Sequence, residues 1–393
     1  MFSQWLGIRG LDAAIPLALI SGIIGLCWTL PAALLPIAAL SHLGDAQKAS
    51  VLFFGVSVFG VAGAIAVPLL VHHLGRRFVI VLGITLTIFS GVCLSIPTTW
   101  ALIGGATLRV FGFVCIDVII EMIIMERIPK QNLARFESVR MFSMGVGLIT
   151  GPLLGTIMAS RIAIWAPFFL MIGALLFLHL YLFRSPLANN LANTDQPNKP
   201  PNPFRFMQRF IQQPRLRLSW LLAFMRSSWW TMFFIYGPIY CVQSGLGQES
   251  AGALLSIGSA AILFAPVFGK IGSRIGVKHL LAIGYISTGI STLLVAVFAS
   301  SVWFGIVFLL AAATCAAIID AVGNALFLRA AHARERGEMT AVFLTYREVA
   351  QLAPPGLFSI VLTSFALPAV FVLSGVSMVT MVIFTRFIPK SFR

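Results

Sequence analysis

The chain has 393 residues, 59% hydrophobic and only 10% charged, with a mean hydropathy of +0.97. A soluble domain carries about 25% charged residues, so water is not the main solvent here. The net charge of +15 does not mark a nucleic-acid binder, because Lys and Arg sit between apolar runs and on alternate loops. The five cysteines (Cys27, Cys93, Cys115, Cys241, Cys315) lie inside apolar runs without Cys-x-x-Cys spacing, which argues for buried thiols and against a disulfide framework or a metal site.

Apolar runs of about 20 residues recur along the chain, each able to cross a hydrocarbon core of ~30 Å as a helix. Their unbroken length disfavours a strand barrel. The first is too long for a signal-peptide core and lacks a cleavage site, so it reads as the first span. Spans are predicted at 13–40, 50–71, 78–97, 100–125, 139–160, 163–183, 216–243, 250–269, 279–299, 302–329, 340–364 and 367–386. Pro31, Pro36, Pro152, Pro266, Pro354 and Pro355 fall inside spans, where neighbouring helices can re-satisfy the freed backbone groups.

The loops set the orientation. One series carries Arg76 and Arg77; Arg127, Lys130 and Arg135; Arg184 through Arg217; Lys270, Arg274 and Lys278; Arg329, Arg334 and Arg336; and Arg386, Lys390 and Arg393. The other series holds only Lys48 and Arg161 as cations. The positive-inside rule places the first series and both termini in the cytoplasm. The segment 185–214 is polar and rich in Pro and Asn, as a flexible linker is. Its tail, Phe204 to Ile211, mixes aromatics with Arg and predicts a short helix in the membrane interface. The sequence therefore predicts an all-α membrane protein: twelve transmembrane helices in two pseudo-symmetric six-helix bundles, 1–184 and 215–393, joined by the 185–214 linker.

Internal echoes support the two halves. Gly75 matches Gly276 at an offset of 201, Asp117 matches Asp320 at 203, and Arg140 matches Arg347 at 207. Glu121 and Asn324 each lie four residues after the matched Asp. Such spacing implies parallel repeats about an axis along the membrane normal.

Here the sequence resembles the major facilitator superfamily. That family carries Gly-x-x-x-Asp-Arg-x-Gly-Arg-Arg between spans 2 and 3; this chain keeps Gly75-Arg76-Arg77 and has His72 in place of the acid. The copy between spans 8 and 9, Gly269 to Lys278 with Arg274 and Gly276, is closer to the pattern. Span 5 holds Gly147-x-x-x-Gly151-Pro152-x-x-Gly155, similar to an element of the drug:proton antiporter branch. Arg109 and Gly112 in span 4 distantly resemble that branch's Arg-x-x-x-Gly. By physics alone, small residues every four positions let helices approach closely, and Pro152 loosens the backbone beside them, which suits packing or a hinge.

Ionisable groups inside spans are costly and usually functional. Here they are Arg109, Asp117, Glu121, Arg226, Asp320, Arg347 and Glu348. Asp117 and Glu121 share one face of span 4, as Asp320 and Asn324 share one of span 10. The resemblance implies that spans 1, 4, 7 and 10 line a central cavity, so Asp117, Glu121 and Asp320 become proton-coupling candidates. Arg109 and Arg226 are candidates to bind an anionic substrate group or to neutralise Asp117 and Asp320. The second is favoured, since an unpaired buried charge is expensive. Trp229, Phe233 and Tyr236 share a side of span 7 and, with Trp28 and Asn324, are cavity candidates. The resemblance also places cytoplasmic-gate contacts at Gly75, Arg76, Arg77, Arg140, Arg274, Gly276, Arg347 and Glu348.

The expectation is a secondary transporter that moves a small organic molecule outward in exchange for protons. It would work by rocking of two halves in the cell (inner) membrane, as a monomer. Uptake of a sugar, organic acid or siderophore by symport or uniport is the first rival. A non-transporting sensor or assembly factor on the same scaffold, allowed by the degraded motif at His72, is the second. No Gly-x-x-x-x-Gly-Lys-Ser/Thr motif is present, so ATP drive is not expected. No nucleophile–base constellation points to an enzyme, and no cofactor, metal or nucleic-acid partner is expected.

Overall fold

The computed structural model describes residues 14–128, 132–185, 203–299, 301–330 and 336–388. The linker stretch 186–202, the loop cations Lys130, Arg334, Lys390 and Arg393, and the side chains of Arg135, Arg329, Arg336 and Asn324 lie outside the described residues.

The helices follow in order: α1 (Ala14–Thr29), α2 (Leu34–Leu43), α3 (Ala46–Leu74), α4 (Arg76–Leu94), α5 (Thr99–Arg127), α6 (Leu133–Arg161), α7 (Ala166–Arg184), α8 (Pro203–Gln212), α9 (Pro214–Gln243), α10 (Gly247–Ala260), α11 (Ala265–Ile275), α12 (Val277–Val297), α13 (Val302–Ala330), α14 (Arg336–Val361) and α15 (Pro368–Thr385). The described residues contain no strand. Together, α1 and α2 fall in the first predicted span and α10 and α11 in the eighth, so the described residues hold twelve helical rods at the positions of the twelve predicted spans.

Nine helices among the described residues are long and apolar enough to cross a membrane by length and composition alone. The other three rods, α5, α9 and α14, run for 29, 30 and 26 residues. Length is therefore not what sets them apart. Each of the three carries ionisable side chains within the rod: Arg109, Asp117 and Glu121 in α5, Arg226 in α9, and Arg347 and Glu348 in α14. These are the positions where polarity inside a membrane implies a role.

The first span is broken where the sequence reading made it continuous. Pro31 brings no N–H and its ring opposes a helical turn. The Ala32 N–H turns to the Thr29 carbonyl at 2.9 Å, one residue short of its helical partner, and the helix restarts at Leu34. In the eighth span a 3-10 turn at Ala261–Phe264 precedes Pro266 in the first turn of α11. Pro68, Pro152, Pro238, Pro354 and Pro355 remain within helices.

Backbone contacts divide the chain into two units: Met1–Ala38 with Val58–Gln196, and Ala39–Ser57 with Pro197–Arg393. In the first, α1 lies along α6 on a seam of small residues. Carbon added at Gly147 would meet the Leu26 backbone nitrogen at 2.5 Å; at Gly151 it would meet Thr29 Oγ1, and at Gly155 the Leu30 carbonyl. Glycine is what lets the backbones touch, and the Thr29 hydroxyl donates across the seam to the Gly147 carbonyl at 2.7 Å.

In the second unit α9 is central. Ser50 Oγ lies 2.7 Å from Tyr236 Oη, and the Ser57 hydroxyl donates to the Gln351 carbonyl at 3.0 Å. These contacts tie the stretch 39–57 to α9 and α14. A helix, α8, stands where the sequence places a short one, anchored by one ring: Phe210 is buried with Leu216, Ala223, Phe327, Met339, Phe343 and Tyr346.

Gly75 and Gly276, the matched pair, take φ values of 82° and 89°. Each turns the chain between two antiparallel rods in the left-handed region where a Cβ is disfavoured. The repeat read from spacing is thus the same backbone device used twice.

Candidate functional site

The second unit holds a buried polar network on one face of α9. Arg226 Nε lies 3.0 Å from Asp320 Oδ1 of α13. The indole N–H of Trp230 donates to Asp320 Oδ2 at 2.7 Å, so both carboxylate oxygens are engaged. Arg226 Nη2 donates to the Tyr346 hydroxyl of α14 at 3.2 Å, and its guanidinium stands 5.7 Å from that ring. Room for the guanidinium comes from Gly323, where a Cβ would lie 2.6 Å from Arg226 Nη1. Spacing on α9 explains the pairing: Arg226 and Trp230 are i,i+4 and present one face. Arg226 is 6% exposed at its side chain and Asp320 25%. Arg226 is thus the more enclosed partner of the pair.

The first unit is arranged differently. Arg109, 5% exposed, pairs with neither Asp117 nor any other carboxylate among the described residues. Its Nη2 donates to the Trp28 carbonyl, and its guanidinium lies 4.3 Å from the Trp28 ring and 5.4 Å from Phe113. The break after α1 is the cause. Because the Ala32 N–H is drawn to Thr29, the Trp28 carbonyl loses its helical donor, and a buried carbonyl without a donor is costly. Arg109 supplies that donor from α5. The expected neutralisation of Asp117 by Arg109 is thus replaced by a brace on the end of α1.

The span 4 acids turn instead to α6. Arg140 lies 3.4 Å from Glu121 Oε1 and binds Glu137 in a bidentate pair at 2.7 and 2.8 Å. Asp117 is within electrostatic reach of Arg140. The matched residue Arg347 is exposed and donates weakly to the Tyr346 hydroxyl at 3.4 Å, while Glu348 beside it is half-buried. The two halves share positions, but their charges are wired differently.

The remaining loop residues are dispersed. Arg76, buried at the start of α4, meets Glu126 near the end of α5 at 2.5 Å. Arg77 stands over the Phe183 ring of α7 at 5.1 Å. Arg274 is exposed.

Of the expected aromatic wall, Trp229, Phe233 and Tyr236 are all fully buried. Trp229 stacks on Phe233 and donates to Thr292 Oγ1 at 2.9 Å. Tyr236 is held by Ser50. Trp229 borders a cavity of about 330 Å³ between α9, α14 and α15, with Met225, Ser228, Pro354 and Phe358 among its walls. Applying the repeat offset of 207, Pro354 and Phe358 stand where the first unit has Gly147 and Gly151. Bulk replaces glycine there, and a cavity lies between α9 and α14 where α1 closes on α6 in the first unit.

Trp230 and Tyr346 were absent from the sequence-based candidates. Trp230 was legible in principle as the residue one helical turn beyond Arg226; Tyr346 had no signal beyond adjacency to Arg347.

A model of the Major Facilitator Superfamily matches residues 17–264 and 253–392 of this fold and charge pattern, and the chain belongs to that superfamily. It is 28% identical over 169 residues to an MFS-type transporter, TwmF, of Talaromyces wortmannii, a stretch covering 41% of this chain and 31% of that protein. The chain therefore spans about a third of that relative's length. Its fold is similar to that of a POT family transporter in complex with 5-aminolevulinic acid (TM-score 0.76, 14% identity, 99% and 97% of the two chains). It is also similar to the nucleoside transporter NupG (TM-score 0.74, 13% identity, 96% and 99%). At these identities the likeness is one of fold.

The brace carries a prediction. Arg109→Lys keeps the charge but loses the planar stack on Trp28, and is expected to cost about 1–2 kcal/mol of stability. A thermal midpoint of the purified protein equal to the parent's would contradict the role given to Arg109.

Proposed function

We propose that the chain is a secondary transporter, not an enzyme, that moves a small organic molecule by alternating access, with Asp320 as its proton-exchanging group. The observation that carries this reading is the Arg226–Asp320 pair. It sits within α9 and α13 at 3.0 Å, and its carboxylate is a quarter exposed. Protonation of Asp320 would release Arg226, leaving the guanidinium to Tyr346 and to whatever anionic group enters beside it. Two states that differ in that contact differ in proton affinity, which is the requirement for coupling. Asp117 and Glu121, already engaged by Arg140, are secondary candidates.

Export in exchange for protons is supported by the span 5 element Gly147 to Gly155, which resembles that of the drug:proton antiporters. Symport of an anionic substrate is the second reading, favoured by the Arg226 charge being no longer balanced by Asp320 when that carboxyl is protonated. The proposal includes a cell-membrane location with both termini cytoplasmic, from the loop cations, cytoplasmic-gate roles for the residues around Gly75 and Gly276, and a monomer.

The test is proton flux in sealed liposomes holding the purified protein and an internal pH dye. Lipophilic cations, sugars, organic acids and siderophores are added outside one at a time. A compound that drives protons inward or outward names the substrate class, and the sign separates antiport from symport. Labelled compounds crossing without proton movement would remove Asp320 from the coupling role. No flux with any compound would favour the sensor.

A further inference from the structure

We propose that the open cleft between the first turns of α9 and the end of α15 is a binding site for one anionic phospholipid. The cleft has a volume of about 490 Å³ and is lined by Pro214, Arg215, Arg217, Leu218, Leu221, Phe384 and Phe387. Its two halves have different chemistry. Arg215 and Arg217 are exposed, and neither has an ion-pair partner among the described residues. Below them Leu218 and Leu221 follow on α9, and Phe384 and Phe387 close the other side with ring centroids 6.4 Å apart.

A free phosphate or other small anion would satisfy the arginines and leave the apolar side of the cleft uncovered. A zwitterionic lipid would cover the apolar side and leave the cations uncompensated. A lipid with a net-negative headgroup answers both, with its phosphate on the guanidiniums and its upper acyl chains on the leucines and rings. Trp220, one turn further into α9, stacks on Phe224 at 5.4 Å with ring planes 6° apart and donates its indole N–H to Thr345 Oγ1 at 3.1 Å, which holds this part of α9 against α14. Neighbouring elements fix the cleft's shape. The buried Phe210 ring holds α8 against the start of α9, and Lys278 Nζ donates to the Arg386 carbonyl at 3.1 Å, tying α12 to the end of α15. The proposal is independent of which substrate the protein carries.

The experiment is native mass spectrometry of the full chain released from mixed micelles containing dioleoyl-phosphatidylglycerol and dioleoyl-phosphatidylcholine. The parent is expected to retain one phosphatidylglycerol in preference to phosphatidylcholine. Arg215→Gln, Arg217→Gln together are expected to weaken that retention on the order of 30-fold, the effect of two cations at an anionic surface. The lysine pair, Arg215→Lys, Arg217→Lys, is expected to keep most of it. Arg217→Glu, a single change at an exposed position, serves if the double glutamine variant does not fold, and is expected to lose the lipid as well. Equal phosphatidylglycerol retention by the parent and these charge-removing variants would overturn the site. Displacement of the lipid by equimolar inorganic phosphate would overturn the assignment to a lipid.

Discussion

Arg226→Met is expected to remove most folded protein from the membrane, whereas Arg226→Gln combined with Asp320→Asn is expected to restore it. The single change removes the guanidinium from Asp320 and leaves it the Trp230 indole N–H among the described residues. Removing one partner of a buried ion pair costs about 3–5 kcal/mol, against a total stability of roughly 5–15 kcal/mol. The paired amides remove both charges and keep groups that can hydrogen-bond each other, Trp230 and Tyr346. The measurement is the yield of monodisperse protein after detergent extraction and its thermal midpoint. An Arg226→Met protein as stable as the parent would mean that the carboxylate is already neutral or solvated, and the pair would lose its central place.

The second large effect is expected on the α1–α6 seam. At Gly147 even one methyl group has no room, since a Cβ would lie 2.5 Å from the Leu26 nitrogen and 2.8 Å from the Gly25 carbonyl carbon. Both are backbone atoms, so no rotamer change relieves the contact and the helices must part. Parting them lengthens the 2.7 Å hydrogen bond from Thr29 to the Gly147 carbonyl. Gly147→Ala is expected to cost about 1–3 kcal/mol from overpacking alone, and Gly147→Leu to prevent folding. Gly145→Ala, two residues earlier, is the control: nothing lies within 4 Å of a Cβ there, so its midpoint should hold or rise. Thermal melts of the three proteins decide. A neutral Gly147→Ala would show that the seam is looser than described.

Much of the architecture is written in hydropathy. Twelve rods, the α8 helix and the matched turns at Gly75 and Gly276 all follow from apolar run length, one amphipathic stretch and an internal offset. The break in the first span was written too, in Pro31, but proline inside a membrane helix is so often tolerated that its presence alone does not predict a break. The wiring of the charges was not legible. The repeat makes Arg109 look like a partner for Asp117, as Arg226 is for Asp320. A carbonyl freed by the Pro31 break diverts it, and that contact joins residues 81 positions apart in the chain. Likewise the i,i+4 pattern on α9 marks which aromatics share a face, but not which face meets α13. Trp230 therefore touches the carboxylate, whereas Phe233 and Tyr236 are buried in packing.

The central claim is that Asp320 carries the coupling proton. The most direct test is substrate-driven proton flux by the Asp320→Asn protein, which keeps Arg226, in sealed liposomes, using the first compound shown to move protons through the parent. Labelled substrate should still equilibrate across the bilayer while the internal pH stays flat. Proton movement at the parent's stoichiometry in that protein would contradict the claim and pass the role to Asp117 or Glu121.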